Sequence, residues 1–470
     1  MRKQYLTLLS FFIAITGFTQ TGTFAGDWLG KINVGIELRL VFHFKQAGEK
    51  YITTLDSPDQ STFGIPCDST NASNNQIQVF IKNINASYTG KLVNDSTIEG
   101  NFVQGNSIPL TLKRTSLKIE NKRPQEPKPP FPYRSEDVEY DNADKSLHYG
   151  ATFTSPDGNG PFPAVVLITG SGPQNRNEAL MGHKPFLVLA DALTKNGFAV
   201  LRVDDRGVGK STGNFNIATT ADFAKDVSAS TDYLLSRPEV NKKKVGLIGH
   251  SEGGMIAPMV ATSRNDIAFV VLLAGPGIKI DKLMAEQNAA ILRSSGISEQ
   301  SIKAYLPLYE ILAQTIISNT DSSMAIKSGL NAIDKWMKVT DTTAIRELGM
   351  SVESDRVSMT RALQKAYSTN WFRYFLAFDP QPYLRKLNGK VLALNGDKDI
   401  QVIASSNLAG IESALKKSKV KNYQVKSLPG LNHLFQHCTA CTVNEYSQIE
   451  ETFSPDALKE ITNWLNKEIK

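Results

Sequence analysis

Apolar and polar residues alternate in short runs over the first part of the chain. Leu38, Leu40, Phe42 and Phe44 alternate with Arg39, His43 and Lys45, the period-two spacing of a half-buried strand. Further strands are expected at 77–84, 88–93, 97–103 and 108–112, separated by Asn, Gly, Ser and Asp clusters. The pattern predicts an all-β module over residues 21–116, with no cluster of catalytic residue types. The proline-rich stretch 117–135 then reads as an extended linker, because each proline fixes φ and biases its predecessor away from helix. Beyond it, β-branched or Leu-rich runs at 164–169, 199–203, 244–248, 269–273, 391–394 and 423–427 alternate with helical stretches, as in a parallel sheet covered on both faces. Residues 281–378 keep a helical period without a buried-strand signal, which predicts a cap inserted after the sixth strand. The expected fold class is therefore α/β: a mostly parallel sheet with a helical cap over 136–470, preceded by a small all-β domain.

Composition narrows the function classes. Apolar residues make up 41% and charged residues 21% of 470, an ordinary globular balance. A net charge of +6 spread along the chain is too weak for a nucleic-acid partner. Residues 1–20 open with Arg2 and Lys3 and continue through an apolar run that ends in small or polar residues, the form of a secretory signal. That run is shorter than the roughly 20 residues a membrane span needs, so the mature chain is expected to be exported, periplasmic or secreted, without an integral span. Cys67, Cys438 and Cys441 are too few for a disulfide scaffold; Cys438 and Cys441 are spaced to bridge locally. His433 and His437 lie just upstream, but a single C-x-x-C is weak evidence for zinc, and no metal site is expected.

The chemistry centres on Gly249-His250-Ser251-Glu252-Gly253, which follows a strand and precedes a helical stretch through Met255, Ile256 and Met259. In that context Gly-x-Ser-x-Gly forms a sharp turn presenting a nucleophile, although Pro258 should kink the helix. A serine needs a base and an acid to orient it, and the chain supplies both in the order Ser, Asp, His. Asp399 lies in the turn after the strand at 391–394, with Asp397 better suited to shaping that turn. Six histidines allow elimination: His43, His148 and His183 lie in other regions, and His250 should pack beneath the nucleophile. His433 follows the last strand and is the expected base, with His437 as the fallback. The oxyanion donors are expected to be the backbone N–H groups of Glu252 and Ser171, with Gly170 as an alternative to Ser171. The phosphate-loop look-alike at 207–212 fails, because Asp204 stands where its first glycine is required.

From about Val138 to Lys470 the chain resembles the α/β-hydrolase superfamily, and most closely bacterial serine carboxylesterases of the dienelactone-hydrolase-like and proline-iminopeptidase-like groups. The resemblance rests on Ile168-Thr-Gly-Ser-Gly-Pro-Gln174, Leu201-Arg-Val-Asp-Asp-Arg-Gly-Val-Gly-Lys-Ser211, Gly249-His-Ser-Glu-Gly253, Asn395-Gly-Asp-Lys-Asp399 and Gly430-Leu-Asn-His433, in order. It implies a structural role for Asp205 and Arg206 on the oxyanion side. Many relatives carry His-Gly where this chain has Thr169-Gly170. The reading is an exported serine hydrolase acting on a small-molecule ester through Ser251, Asp399 and His433, with no cofactor. A peptidase or thioesterase on the same triad is the alternative. A binding protein, with an inactive hydrolase domain and an N-terminal module that takes an unknown ligand, is a more distant one.

Overall fold

The computed structural model describes residues 23–33, 37–48, 50–60, 62–116, 122–319, 321–351, 364 and 369–470. The expected signal segment lies outside them. The chain divides into two compact units, before and after residue 120.

The first unit is an antiparallel sheet of β1 (Gly26–Asn33), β2 (Glu37–Ala47), β3 (Lys50–Ser57), β4 (Thr62–Pro66), β5 (Ser69–Ser73), β6 (Gln76–Ile81), β7 (Ala86–Asn94), β8 (Thr97–Gln104) and β9 (Asn106–Thr115), in the order β4-β3-β2-β1-β9-β8-β7-β6-β5. The alternation seen in β2 is realised: Leu38, Leu40, Phe42 and Phe44 are buried with Trp28 and Tyr88 in one core. The sheet curls round towards itself, since Thr70 on β5 donates its hydroxyl to Thr53 on β3 at 2.7 Å. The strand expected at 77–84 stops at Ile81, because residues 82–84 form a 3-10 turn closed by Asn85 in the left-handed region.

The second unit begins within the stretch read as a linker. From residue 122 that stretch is anchored rather than free: Arg123 donates to the carbonyls of Ser447 and Ile449, each at 2.8 Å, and Gln125 bonds the backbone of Thr452 and Phe453. The sheet consists of β10 (Arg134–Asp141), β11 (His148–Ser155), β12 (Phe162–Ile168), β13 (Ala199–Val203), β14 (Val240–His250), β15 (Phe269–Leu273), β16 (Lys390–Gly396) and β17 (Tyr423–Leu428), in the order β10-β11-β13-β12-β14-β15-β16-β17. The strands from β13 to β17 in that order run parallel, and β10 and β11 are antiparallel additions at one edge. β10 gave no clear period because an edge strand is largely exposed on both sides.

Successive residues of the central strands feed two cores, which is why these strands read as continuous apolar runs. Val166, Ile168, Val270 and Leu272 pack on one face, under α2 (Thr220–Ser236) and α3 (Gly253–Ser263). Val165, Leu167, Val271 and Leu273 pack on the other, with residues of α1 (Pro185–Lys195) and the C-terminal helix 455–468. α3 runs on through Pro258. Between β15 and β16 come α4 (Ile280–Ser294), α5 (Glu299–Ser318), α6 (Ser322–Val339), α7 (Thr342–Glu347), α8 (Asn370–Ala377) and α9 (Gln381–Leu384). α4 to α8 form the expected cap, with a core of their own around Leu308, Ile333 and Trp336, while Leu384 of α9 packs into the core beside the sheet. A second cluster, containing Leu283, Phe375, Met255 and Val402, seats the cap on α3 and on the loop after β16.

Candidate active site

The turn between β14 and α3 holds Ser251 at φ 53°, a left-handed conformation that costs a non-glycine residue on the order of 1–3 kcal/mol. Its flanking glycines are sterically required. A Cβ on Gly249 would stand 2.0 Å from the carbonyl oxygen of Gly253, and one on Gly253 would stand 2.2 Å from that of Ile168. The N–H of Ser251 donates to Leu273 O at 2.9 Å, which ties the turn to the neighbouring strand.

Asp399 sits in the turn beyond β16 and is fully engaged. Its Oδ1 accepts the N–H groups of Gln401 and Val402 at 2.8 and 2.9 Å, and its Oδ2 accepts Nδ1–H of His433 at 2.8 Å. Acid and base are both buried. An imidazole whose Nδ1–H points at a carboxylate carries its basic lone pair on Nε2. Asp397 instead accepts Gly430 N–H at 2.7 Å and shapes the turn, as its position suggested. His437 is half-exposed and bonded to Glu451, and His183 is held between Thr452 and the Tyr446 carbonyl. Cys438 and Cys441 are bridged to each other, in the loop that follows His433.

Ser251, His433, Glu252 and Ser171 line one cavity of about 250 Å³. Of the two candidates in the oxyanion loop, Gly170 is occupied, since its N–H donates to Glu178 Oε1 at 2.7 Å. The N–H groups of Ser171 and Glu252 have no acceptor among the described residues. The cap closes the cavity with Leu283, Met284, Trp371, Phe372 and Phe375.

Several residues near the site escaped the sequence reading. The Glu252 side chain accepts from Thr220 Oγ1 at 2.6 Å and from Trp371 Nε1 at 2.9 Å, tying the residue after the nucleophile to α2 and to the cap. Burial raises its carboxyl pKa, against the hydrogen bonds from Thr220, Trp371 and Ser171. His250 does not simply pack beneath the turn: it lines the same cavity, with Nδ1 2.9 Å from Glu178 Oε1 and Nε2 3.0 Å from the carbonyl of His433. Asp205 accepts Thr169 Oγ1–H and Gln174 N–H at 2.7 and 2.8 Å, so it braces both ends of the oxyanion loop. Arg206 pairs with Asp226, while Asp204 takes Arg176 and the N–H of Lys210, which folds the phosphate-loop look-alike onto a carboxylate.

The profile of the serine aminopeptidase S33 family matches residues 184–345, a span that includes Ser251 and ends before Asp399 and His433. Esterase EstD of Thermotoga maritima is 32% identical over 145 residues, 31% of this chain and 34% of that protein. Acyl-coenzyme A thioesterase 3 of Mus musculus is 29% identical over 153 residues, 33% of this chain and 32% of that protein. These matches span about a third of the relatives' own length. The second unit has an α/β-hydrolase fold. Among solved structures, the Pyrococcus furiosus esterase Pf2001 aligns with a TM-score of 0.43 at 16% identity, covering 72% of this chain and 92% of that one. Within the second unit the candidate groups stand at the carboxyl ends of β12, β14, β16 and β17, the edge of an open α/β sheet where ligands bind.

Proposed function

We propose that the chain is a serine hydrolase that cleaves uncharged carboxylic esters through an acyl-enzyme. The observation that carries this reading is the strained Ser251 sharing one cavity with His433, whose Nδ1 is held by a buried Asp399. Ser251 Oγ attacks the acyl carbonyl and gives its proton to His433 Nε2. The N–H groups of Glu252 and Ser171 receive the developing oxyanion. His433 then protonates the leaving alcohol, and in the second half-reaction it activates the water that releases the acid. Asp399 keeps the imidazole in the productive tautomer and stabilises its cationic form.

Esters are favoured over amino-terminal peptides and acyl-CoA by what the cavity offers. A free α-ammonium group calls for an unengaged carboxylate, yet Glu178 already bonds His250 and Gly170, and Glu252 bonds Thr220 and Trp371. The phosphates of CoA call for cations, and among the described residues no lysine or arginine lines the cavity. The thioesterase reading keeps support from the relative that bears that name.

The test compares p-nitrophenyl acyl esters, aminoacyl p-nitroanilides and acyl-CoA thioesters, with fluorophosphonate labelling mapped to its residue. Esters should have the highest kcat/KM, and the label should fall on Ser251. A preference for the anilide or the CoA thioester overturns the ester assignment, and an unlabelled, inactive folded protein overturns the hydrolase reading.

A further inference from the structure

Next to the triad stands a buried acid and base that the mechanism above leaves unused. Glu178, in the loop after β12, is almost inaccessible and has φ 51°, so its backbone is held in the left-handed region. Its Oε1 is shared between the N–H of Gly170 and Nδ1 of His250. The other nitrogen of His250 meets the backbone carbonyl of His433, and the two imidazole rings lie 4.8 Å apart.

Both nitrogens of His250 thus face oxygens that accept hydrogen bonds. A neutral imidazole has a single N–H and satisfies only one of them. Against a carboxylate on one side and a carbonyl on the other, the imidazolium is the form with every partner satisfied. We infer that Glu178 and His250 form an imidazolium–carboxylate pair that positions the catalytic machinery, joining the oxyanion loop at Gly170 to the backbone of the general base, His433. Burial opposes a charged His250, but the charge and hydrogen bond of Glu178 and the His433 carbonyl outweigh it, and the pKa of the ring is raised.

The pair has three consequences for the chemistry. By taking up Gly170 N–H, Glu178 removes that donor from the oxyanion site and leaves the position to Ser171. By pairing with His250, it places no net charge beside the oxyanion that forms on the substrate. By holding the carbonyl of His433, His250 fixes the loop from which the base works. Neither residue is assigned contact with the reacting atoms. They are positioning residues, and their effect belongs to the transition state rather than to substrate binding.

This inference rests on the serine-hydrolase reading, and the experiment separates the two. Glu178→Gln and Glu178→Ala are compared with the unmodified protein for thermal melting, fluorophosphonate labelling, kcat and KM on p-nitrophenyl butyrate, and inhibition by a phenylboronic acid, which binds serine as a tetrahedral adduct. Glu178→Gln should lower kcat by roughly 10- to 100-fold with KM within about twofold, and weaken the boronate by a similar factor. Glu178→Ala, which also frees Gly170 N–H, should lose more. Folded variants with unchanged kcat, or with a raised KM alone, overturn the inference while labelling at Ser251 upholds the hydrolase reading. If both variants unfold, two-dimensional ¹H–¹⁵N spectra of the histidine rings in the unmodified protein decide, with His250→Gln supplying the assignment. Protons on both nitrogens of His250 at pH 7 support the pair, and a neutral ring overturns it.

Discussion

The indole N–H of Trp371 donates to the side chain of Glu252 at 2.9 Å, so the residue whose backbone N–H is proposed to receive the oxyanion is fastened by its side chain to the cap. Trp371 also walls the cavity beside Phe372 and Phe375. Replacing it with Phe keeps a ring and deletes the donor, at a cost of about 1–2 kcal/mol if the partner stays buried. If longer acyl chains extend to the cap wall, Trp371→Phe should lower kcat/KM by roughly 5- to 10-fold on hexanoyl and octanoyl esters and by less than about twofold on acetate. An equal loss on every chain length would show that the contact serves the oxyanion site and not the cap.

Asp399→Asn should be far more damaging than its size suggests. Oδ1 of the native side chain holds two backbone N–H groups and Oδ2 holds His433. An asparagine that keeps the first two bonds presents its NH₂ to Nδ1 and forces the imidazole into the wrong tautomer. We expect kcat to fall by about 10³- to 10⁴-fold with the melting temperature little changed. Steady-state kinetics beside a melting curve check both halves.

Ser251→Gly separates stability from activity. The left-handed backbone at Ser251 is unstrained for glycine, so the variant should lose turnover and labelling yet gain about 1 kcal/mol of folding stability. Urea unfolding reads the gain, and a destabilised variant would show that packing of the Ser251 hydroxyl outweighs the strain.

Asp205 makes stability depend on pH. Burial pushes its carboxyl up to about 8 from an ordinary value of 3.8, against the hydrogen bonds from Thr169 and Gln174. Between those values the folded chain binds a proton that the unfolded chain has released. The stabilisation from that proton is complete below the unfolded value and is lost as pH rises through about 8. Asp205→Asn has no such proton to lose, so between pH 6 and 9.5 its melting temperature should fall less steeply than that of the native protein. Parallel curves would count against a protonated Asp205.

How far the sequence discloses this site depends on what holds each residue. Ser251, Asp399 and His433 were legible because sheet geometry puts them just past strand ends, and strand ends show in the apolar pattern. Glu178 was not, because it lies in an aperiodic loop and matters only through a fold that brings His250 beside it, 72 residues later in the chain. Trp371 sits in a helix whose apolar stripe reads like any packed surface, and nothing local tells that its indole N–H reaches Glu252. The same holds for the stretch after residue 121, where prolines signal an extended backbone but cannot show that Arg123 and Gln125 dock on a segment more than 300 residues away.

The base of the cap has a consequence for how such a protein changes. The N–H of Ile280 donates to Phe378 O at 3.0 Å, so the chain is clasped where it departs for the cap and where it returns, and it departs from and returns to β15 and β16, which pair directly. Everything beyond the clasp is a cassette. Its length can change at little cost to the pairing of the strands below, because the entropy of closing a loop rises only with the logarithm of its length, about 0.6 kcal/mol per doubling. Ser251, Asp399 and His433 belong to the frame, and Leu283, Met284, Trp371, Phe372 and Phe375 of the insert wall the cavity above them. An exchanged cassette then leaves the strands in place, but it removes the bond from Trp371 to Glu252 unless it supplies a donor of its own.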